Sequence, residues 1–118
     1  TKLVNYRAIY DSPKNSLSHL GDCVRAAVDT WANGCKRGIY NIVNTGAMTN
    51  REIVKFVAEI LKPEREYDCW AQDGQFYHDC VLAPRSNAVL STKKLTDAGI
   101  NLRLARTAMV AALENYIL

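Results

Sequence analysis

The sequence lacks the glycine pattern that dinucleotide-binding domains share. It contains 6 glycines in 118 residues, and none of them forms a G-x-G-x-x-G fingerprint behind a first strand. That fingerprint supplies the tight turn and the close backbone approach that a dinucleotide phosphate needs, so its absence excludes such a site within the chain. P-loop, G-x-S-x-G and H-E-x-x-H motifs are missing as well. We therefore assign no catalytic residue.

Metal-binding and disulfide patterns are also absent. The four cysteines, at positions 23, 35, 69 and 80, form no C-x-x-C pair, and neither His19 nor His78 has a cysteine at zinc-ligand spacing. Cys23 falls inside a predicted helix, where a free cysteine acts as a small apolar residue. These observations disfavour a metal site, and they favour reduced thiols in a cytoplasmic protein over a disulfide framework.

Long apolar runs and a strong net charge are missing too. No apolar stretch approaches the roughly 20 residues that a bilayer-spanning helix needs, so the sequence predicts no membrane segment. Fifteen Lys and Arg against twelve Asp and Glu give a net charge of +3. This balance does not indicate nucleic-acid binding, but it is compatible with a local site for an anionic ligand.

What the sequence does contain is the patterning of one mixed α/β domain. Hydrophobic residues make up 48% of the chain, which disfavours disorder. Apolar residues at helical spacing predict three main helices and a shorter one. The first helix has Asp22 as N-cap and ends at Asn33-Gly34, and the second runs from a Thr49/Glu52 capping box to Pro63. The short helix follows Ser91 or Thr92, and the last helix covers about 104–116.

Short strands are predicted between these helices. Runs rich in β-forming residues lie at 3–10, 16–20, 38–44 and 66–70. Residues 83–87 form a predicted loop, because Pro84 resists regular pairing. Trp31 and Tyr40 are expected in the core rather than on a stacking surface.

The amino terminus indicates a piece of a longer protein. The chain starts at Thr1 with no initiator Met, and it enters at once into strand-like alternation. We therefore expect residues 1–118 to form a single lobe of a larger molecule.

Three stretches resemble the C-terminal portion of the extended short-chain dehydrogenase/reductase family, in particular its NAD-dependent epimerase/dehydratase group. That group includes dTDP-glucose 4,6-dehydratases and dTDP-4-dehydrorhamnose reductases. Residues 16–27 (SLSHLGDCVRAA) resemble its short strand and the helix beginning "D-v-a-r-a". Residues 38–44 (GIYNIVN) with 49–53 (TNREI) resemble "G-x-Y-N-v … T-x-x-E-i", and residues 83–95 (APRSNAVLSTKKL) resemble "R-x-x-x-x-x-L-d-t-s-K-l". Their order and spacing agree over nearly the whole chain.

The resemblance implies a substrate-binding lobe without the half that performs the chemistry. The missing N-terminal Rossmann domain would bind NAD or NADP and carry the Tyr/Lys couple, while this lobe would form one wall of the pocket for a nucleoside-diphosphate sugar. The implied reaction is a 4,6-dehydration or an epimerisation. A homodimer is possible in this group.

The resemblance places three candidate substrate-binding residues in this chain. Arg85 lies in a loop beside a rigid proline and can offer a planar fork to phosphate or ribose hydroxyls, although an exposed loop arginine with no ligand is an equal alternative. Asn87 could hold the nucleotide or close a turn. His19 could approach the substrate cleft or be a hydrogen-bonded structural histidine. Where many relatives have an Arg near Asn15, Lys14 or Arg7 would have to replace it.

Two other functions stay open. The chain could belong to a nucleotide-sugar 4-keto reductase, or it could be a non-catalytic module for sugar-nucleotide binding or oligomerisation. An upstream glycine fingerprint with a Y-x-x-x-K pair would decide between an enzyme and such a module.

Overall fold

The computed structural model describes residues 8–10, 14–61, 68–70, 78 and 87–116. These ranges contain four helices and four short strands, so the mixed α/β class with three main helices is confirmed. In chain order the elements are β1 (Ala8–Tyr10), β2 (Lys14–Asn15), α1 (Leu20–Ala32), β3 (Met48–Thr49), α2 (Asn50–Leu61), β4 (Asp68–Trp70), α3 (Lys93–Asp97) and α4 (Ala105–Glu114).

The strands form two small pairs rather than one sheet. β1 and β4 are parallel, with Ile9 opposite Cys69. β2 and β3 are antiparallel, with Lys14 opposite Thr49. Because β3 runs directly into α2, this second pair fixes the start of that helix beside residues 14–15.

The prediction of strands at 16–20 and 38–44 is wrong in the described residues. Residues 16–19 have no regular structure, and Leu20 already belongs to α1. Residues 38–44 are irregular as well, and they make no ladder with a neighbouring segment of the described chain. Their apolar composition is that of a strand, but strand structure requires a hydrogen-bonded partner.

Two helix packings hold the described fold together. Ala26 of α1, Leu95 of α3 and Ile100 form a buried cluster. α2 packs on α4 and on β1, where the small side chains of Ala105 and Ala108 are buried on α4. Both alanines belong to the buried core of the described residues.

The ends of the helices follow from local sequence. Thr49 Oγ1 accepts a hydrogen bond from the backbone N–H of Glu52 (3.1 Å), and Oε2 of Glu52 accepts one from the backbone N–H of Thr49 (2.9 Å). This confirms the predicted capping box of α2. Gly99 follows α3 and its C-cap residue Ala98, and its φ of 82° suits glycine. None of the described helices is long and apolar enough to cross a bilayer.

α1 differs from its prediction in two ways. The helix begins at Leu20, so Asp22 lies in the first turn and His19 is the N-cap. Its apolar stripe also faces outward, because Trp31 is 84% exposed whereas Asp22 and Ala26 are buried. Placing Trp31 in the core was therefore wrong, since helical spacing gives a face but not what covers it.

Candidate functional site

A backbone contact joins the segment after the predicted binding loop to the segment after β2. The backbone N–H of Ser16 donates to the carbonyl of Ala88 (2.8 Å). The N–H of Ala88 donates to Oδ1 of Asn15 (2.8 Å), and the N–H of Leu90 donates to Oγ of Ser16 (2.9 Å). Residues 87–90 are thus held against residues 15–16.

Two of the anticipated binding residues flank this contact in the sequence. Asn87 precedes Ala88 and Lys14 precedes Asn15, the two residues that the 2.8 Å hydrogen bond joins. Asn87 and Lys14 are both exposed. An ammonium and a carboxamide that are open to solvent can bind a phosphate or a sugar hydroxyl. The roles of Asn87 and Lys14 stay predictions, and Arg85 and Arg7 lie outside the described residues.

A buried polar network lies at the start of α1. The Asp22 carboxylate accepts hydrogen bonds at Oδ2 from Nε of Arg103 (2.6 Å) and from Nδ2 of Asn44 (2.8 Å). Asn44 is fully buried, and its Nδ2 also donates to the carbonyl of Arg103 (3.2 Å). The network therefore ties α1 to residues 44 and 103 on two other segments.

The Asp22 carboxyl is an ionised structural group. Burial acts to raise its pKa, but the hydrogen bonds from Arg103 and Asn44 outweigh burial, so the pKa lies below its ordinary value of 3.8. A carboxylate that is paired in this way holds no proton near neutral pH. Asp22 is therefore unsuited to general acid chemistry.

His19 serves this network as a helix cap. Its Nδ1 accepts from the backbone N–H of Asp22 (3.3 Å) and lies 3.2 Å from Nη2 of Arg103. Its own backbone N–H donates to Oδ1 of Asn44 (2.7 Å). These contacts give His19 a structural role. Its predicted contact with a substrate stays a prediction.

A cleft of about 320 Å³ opens beside the network. Its walls come from α1 and from residues 100–103, with the guanidinium of Arg25 and the carboxyl of Asp29 on the helix side. Both signs of charge line this cleft, so it does not select an anionic ligand. Lys14 and Asn87, which are exposed and carry no negative charge, are better candidates for that purpose.

No group able to hold a metal ion occurs among the described residues. Cys23 and Cys35 are free thiols. Tyr10 and Lys14 have the four-residue spacing of a Tyr/Lys acid–base couple. However, Tyr10 ends β1 and is buried, whereas Lys14 begins β2 and is exposed. The spacing therefore does not place them on one helical face, and we assign them no catalytic role.

Sequence reasoning missed the partners that make the network. Asn44 lies at the end of the predicted strand 38–44, and Arg103 was assigned no role. No local pattern could have joined them, because 59 positions separate the two residues. The sequence signal was Asp22 itself, an acidic residue at the start of a predicted helix, since a carboxylate that becomes buried needs a cation and hydrogen-bond donors.

Comparison with known proteins finds a viral protein and two plant enzymes that are named for reactions on nucleotide sugars. No protein-family model matches the chain. Over 95 residues, or 80% of the chain, it is 30% identical to the uncharacterized protein L780 of Acanthamoeba polyphaga mimivirus. Over the same length it is 28% identical to the bifunctional dTDP-4-dehydrorhamnose 3,5-epimerase/dTDP-4-dehydrorhamnose reductase of Arabidopsis thaliana. A trifunctional UDP-glucose 4,6-dehydratase/UDP-4-keto-6-deoxy-D-glucose 3,5-epimerase/UDP-4-keto-L-rhamnose-reductase of the same plant is 26% identical.

The fold has a solved counterpart. The crystal structure of the L780 UDP-rhamnose synthase from the mimivirus matches 98% of this chain with a TM-score of 0.79 and 25% identity. The match covers 39% of that structure, and the chain spans 32%, 30% and 14% of the three curated relatives. This chain is therefore similar to one part of longer enzymes that modify nucleotide sugars.

Proposed function

We propose that this chain is the substrate-binding lobe of an enzyme that modifies the sugar of a nucleoside-diphosphate sugar. The observation that carries the proposal is the match in fold to a UDP-rhamnose synthase, with a TM-score of 0.79 over 98% of the chain. The two plant relatives, whose names describe enzymes of the same chemistry, support it.

The exposed residues beside the 15–16/87–90 contact suit the diphosphate of such a substrate. Lys14 supplies a positive charge and Asn87 supplies an amide donor, which are the partners that phosphate oxygens require. Arg85, two positions before Asn87 in the sequence, would add a bidentate donor. In this proposal the lobe orients the substrate and performs no proton transfer itself.

The names of the relatives favour epimerisation and reduction over dehydration. The resemblance of the sequence motifs fits dehydratases, epimerases and reductases alike. The bifunctional plant relative, however, is named for an epimerase and a reductase without a dehydratase. A 4-keto sugar nucleotide is therefore our preferred substrate class. A 4,6-dehydratase is the second candidate, because the trifunctional relative includes that activity.

NAD or NADP would be bound outside this chain. The 118 residues contain no glycine fingerprint for a dinucleotide, so the residues present do not fit this cofactor. An N-terminal Rossmann domain would supply that site in the complete enzyme.

Product analysis of the full-length enzyme tests the proposal. The purified protein is incubated with NADPH or NADH and with either UDP-glucose or a UDP-4-keto-6-deoxy sugar, and the products are identified by mass spectrometry. A product that gains two hydrogens from the 4-keto sugar identifies a reductase, and loss of water from UDP-glucose identifies a dehydratase. An isomer of unchanged mass identifies an epimerase. No conversion and no binding of either sugar nucleotide would reject the proposal.

A further inference from the structure

The segment that bears Asn87 has little packing of its own. Residues 87–90 are all exposed, and the apolar side chains of Val89 and Leu90 are 63% and 43% exposed. A segment that buries so little apolar surface gains little from the hydrophobic effect. Its position is therefore set by the hydrogen bonds of the 15–16/87–90 contact.

Two of these hydrogen bonds end on side chains rather than on backbone carbonyls. Oδ1 of Asn15 accepts from the N–H of Ala88 (2.8 Å), and Oγ of Ser16 accepts from the N–H of Leu90 (2.9 Å). The two N–H groups lie two positions apart, which is the spacing of the groups along one edge of an extended strand. Asn15 and Ser16 therefore do for this segment what a neighbouring strand does in a sheet, and they do it with their side chains.

The base of the contact is fixed to the interior of the fold. Asn15 lies opposite Met48 in the pair of β2 and β3, and Met48 is buried. On the other side of Ser16, the carbonyl of Leu17 accepts from the backbone N–H of Asn44 (2.9 Å), and Asn44 is fully buried. The base is thus anchored on both sides of Ser16, so it can hold an exposed segment in one position.

We propose that Asn15 and Ser16 are positioning residues for the sugar nucleotide. They hold the backbone that carries Asn87 in place before the substrate arrives, and they act without contacting the substrate themselves. This inference rests on the proposed function, in which Asn87 binds the diphosphate. A group that is held in place in advance loses less conformational freedom on binding, so it contributes more to affinity.

Affinity and hydrogen exchange of Ser16 variants of the full-length enzyme test the proposal. The enzyme is titrated calorimetrically with UDP-glucose and with a UDP-4-keto-6-deoxy sugar, and exchange is measured without ligand on the peptide that contains Leu90. We expect Ser16→Ala to weaken binding about three- to tenfold, as for the loss of one hydrogen bond, and to speed exchange of the Leu90 amide. Ser16→Thr keeps the hydroxyl acceptor and should restore both the affinity and the slow exchange.

Ser18→Ala is the matched control. The Ser18 hydroxyl also makes a 2.9 Å hydrogen bond, but it donates to the carbonyl of Ile42 on a different segment. This variant should therefore leave the affinity and the exchange of the Leu90 amide unchanged. A second variant, Asn15→Ala, removes the other side-chain acceptor and should weaken binding by a factor similar to that of Ser16→Ala.

The outcomes separate this proposal from the proposed function. If the wild-type enzyme binds a sugar nucleotide and Ser16→Ala binds it as tightly, or if Ser18→Ala weakens binding equally, Ser16 does not position the site and the proposed function stands. Exchange of the Leu90 amide that is the same in Ser16→Ala and in the wild-type enzyme would overturn the positioning role as well. A folded wild-type enzyme that binds neither sugar nucleotide would reject the proposed function, and the positioning role with it.

Discussion

Asn44 joins three segments of the lobe through a single side chain. It is fully buried, and its amide donates to Asp22 and to the carbonyl of Arg103 while its Oδ1 accepts from the N–H of His19. Removing it would leave a buried carboxylate and a backbone amide with fewer partners. Such losses cost about 1–3 kcal/mol for each unsatisfied group.

We therefore expect Asn44→Ala to lower the free energy of unfolding by about 2–4 kcal/mol. Urea denaturation followed by circular dichroism measures this change. Asn101→Ala is the matched control, because Asn101 is exposed, and it should change stability by less than about 0.5 kcal/mol. Equal effects of the two substitutions would show that the network does not stabilise the fold.

The lowered pKa of Asp22 predicts how stability depends on pH. Burial raises this pKa, but the hydrogen bonds from Arg103 and Asn44 outweigh it, so the folded protein holds the proton less tightly than the unfolded chain. The stabilisation is therefore present above the ordinary value of 3.8 and is lost as the pH falls through the folded-state pKa. We expect the melting temperature to fall below about pH 4. The Asp22→Asn variant should be less stable than the wild-type protein at neutral pH and should lose less stability on acidification. If its melting temperature fell with decreasing pH as steeply as that of the wild-type protein, this account would be contradicted.

At the scale of elements, α2 shows the best agreement between sequence and structure. Thr49 and Glu52 are three residues apart, and the capping box depends only on that spacing. Glu52 is also paired with Arg106 of α4 (3.1 Å). The hydrogen bond from the backbone N–H of Thr49 is the main cause that holds the pKa of Glu52 below its ordinary value of 4.5.

Thr49→Ala should destabilise the protein by about 1 kcal/mol, because it removes the side-chain acceptor at the start of α2. Thr49→Ser keeps that acceptor and should retain most of the stability. Thr107→Ala, at an exposed position of α4, is a matched control with little expected effect. Thermal unfolding of the three variants gives the comparison. A Thr49→Ala variant as stable as the wild-type protein would show that the cap contributes nothing to the stability of the fold.

Residues 38–44 and α1 show where prediction from sequence fails. Both segments have the expected apolar composition. However, a segment becomes a strand only when a neighbouring segment pairs with its backbone, and an apolar helix face becomes part of a core only when another element packs on it. Residues 38–43 have no backbone pairing within the described residues, and Trp31 is exposed. The errors therefore share one cause, which is that periodicity describes the segment and not its surroundings.

At the scale of the whole molecule, the described fold combines a buried hydrogen-bond network with exposed polar side chains beside the 15–16/87–90 contact. The network around Asp22 fixes α1, and the 15–16/87–90 contact fixes the segment that bears Asn87. Sequence motifs were sufficient to predict the fold class. The contact between residues 15–16 and 87–90 was not predictable, because 73 positions separate Asn15 and Ala88, whose hydrogen bond joins the two segments.

The central claim is that this lobe binds a nucleoside-diphosphate sugar through the side chains beside that contact. Calorimetric titration of the full-length protein with UDP-glucose, dTDP-glucose and a UDP-4-keto-6-deoxy sugar tests it most directly. We expect one of these ligands to bind selectively, and Lys14→Ala to weaken binding about tenfold or more through loss of a charge-assisted hydrogen bond. Lys55→Ala, at an exposed lysine of α2, should bind normally. Failure of the folded wild-type protein to bind any of the three, or equal affinities of the two lysine variants, would contradict the claim.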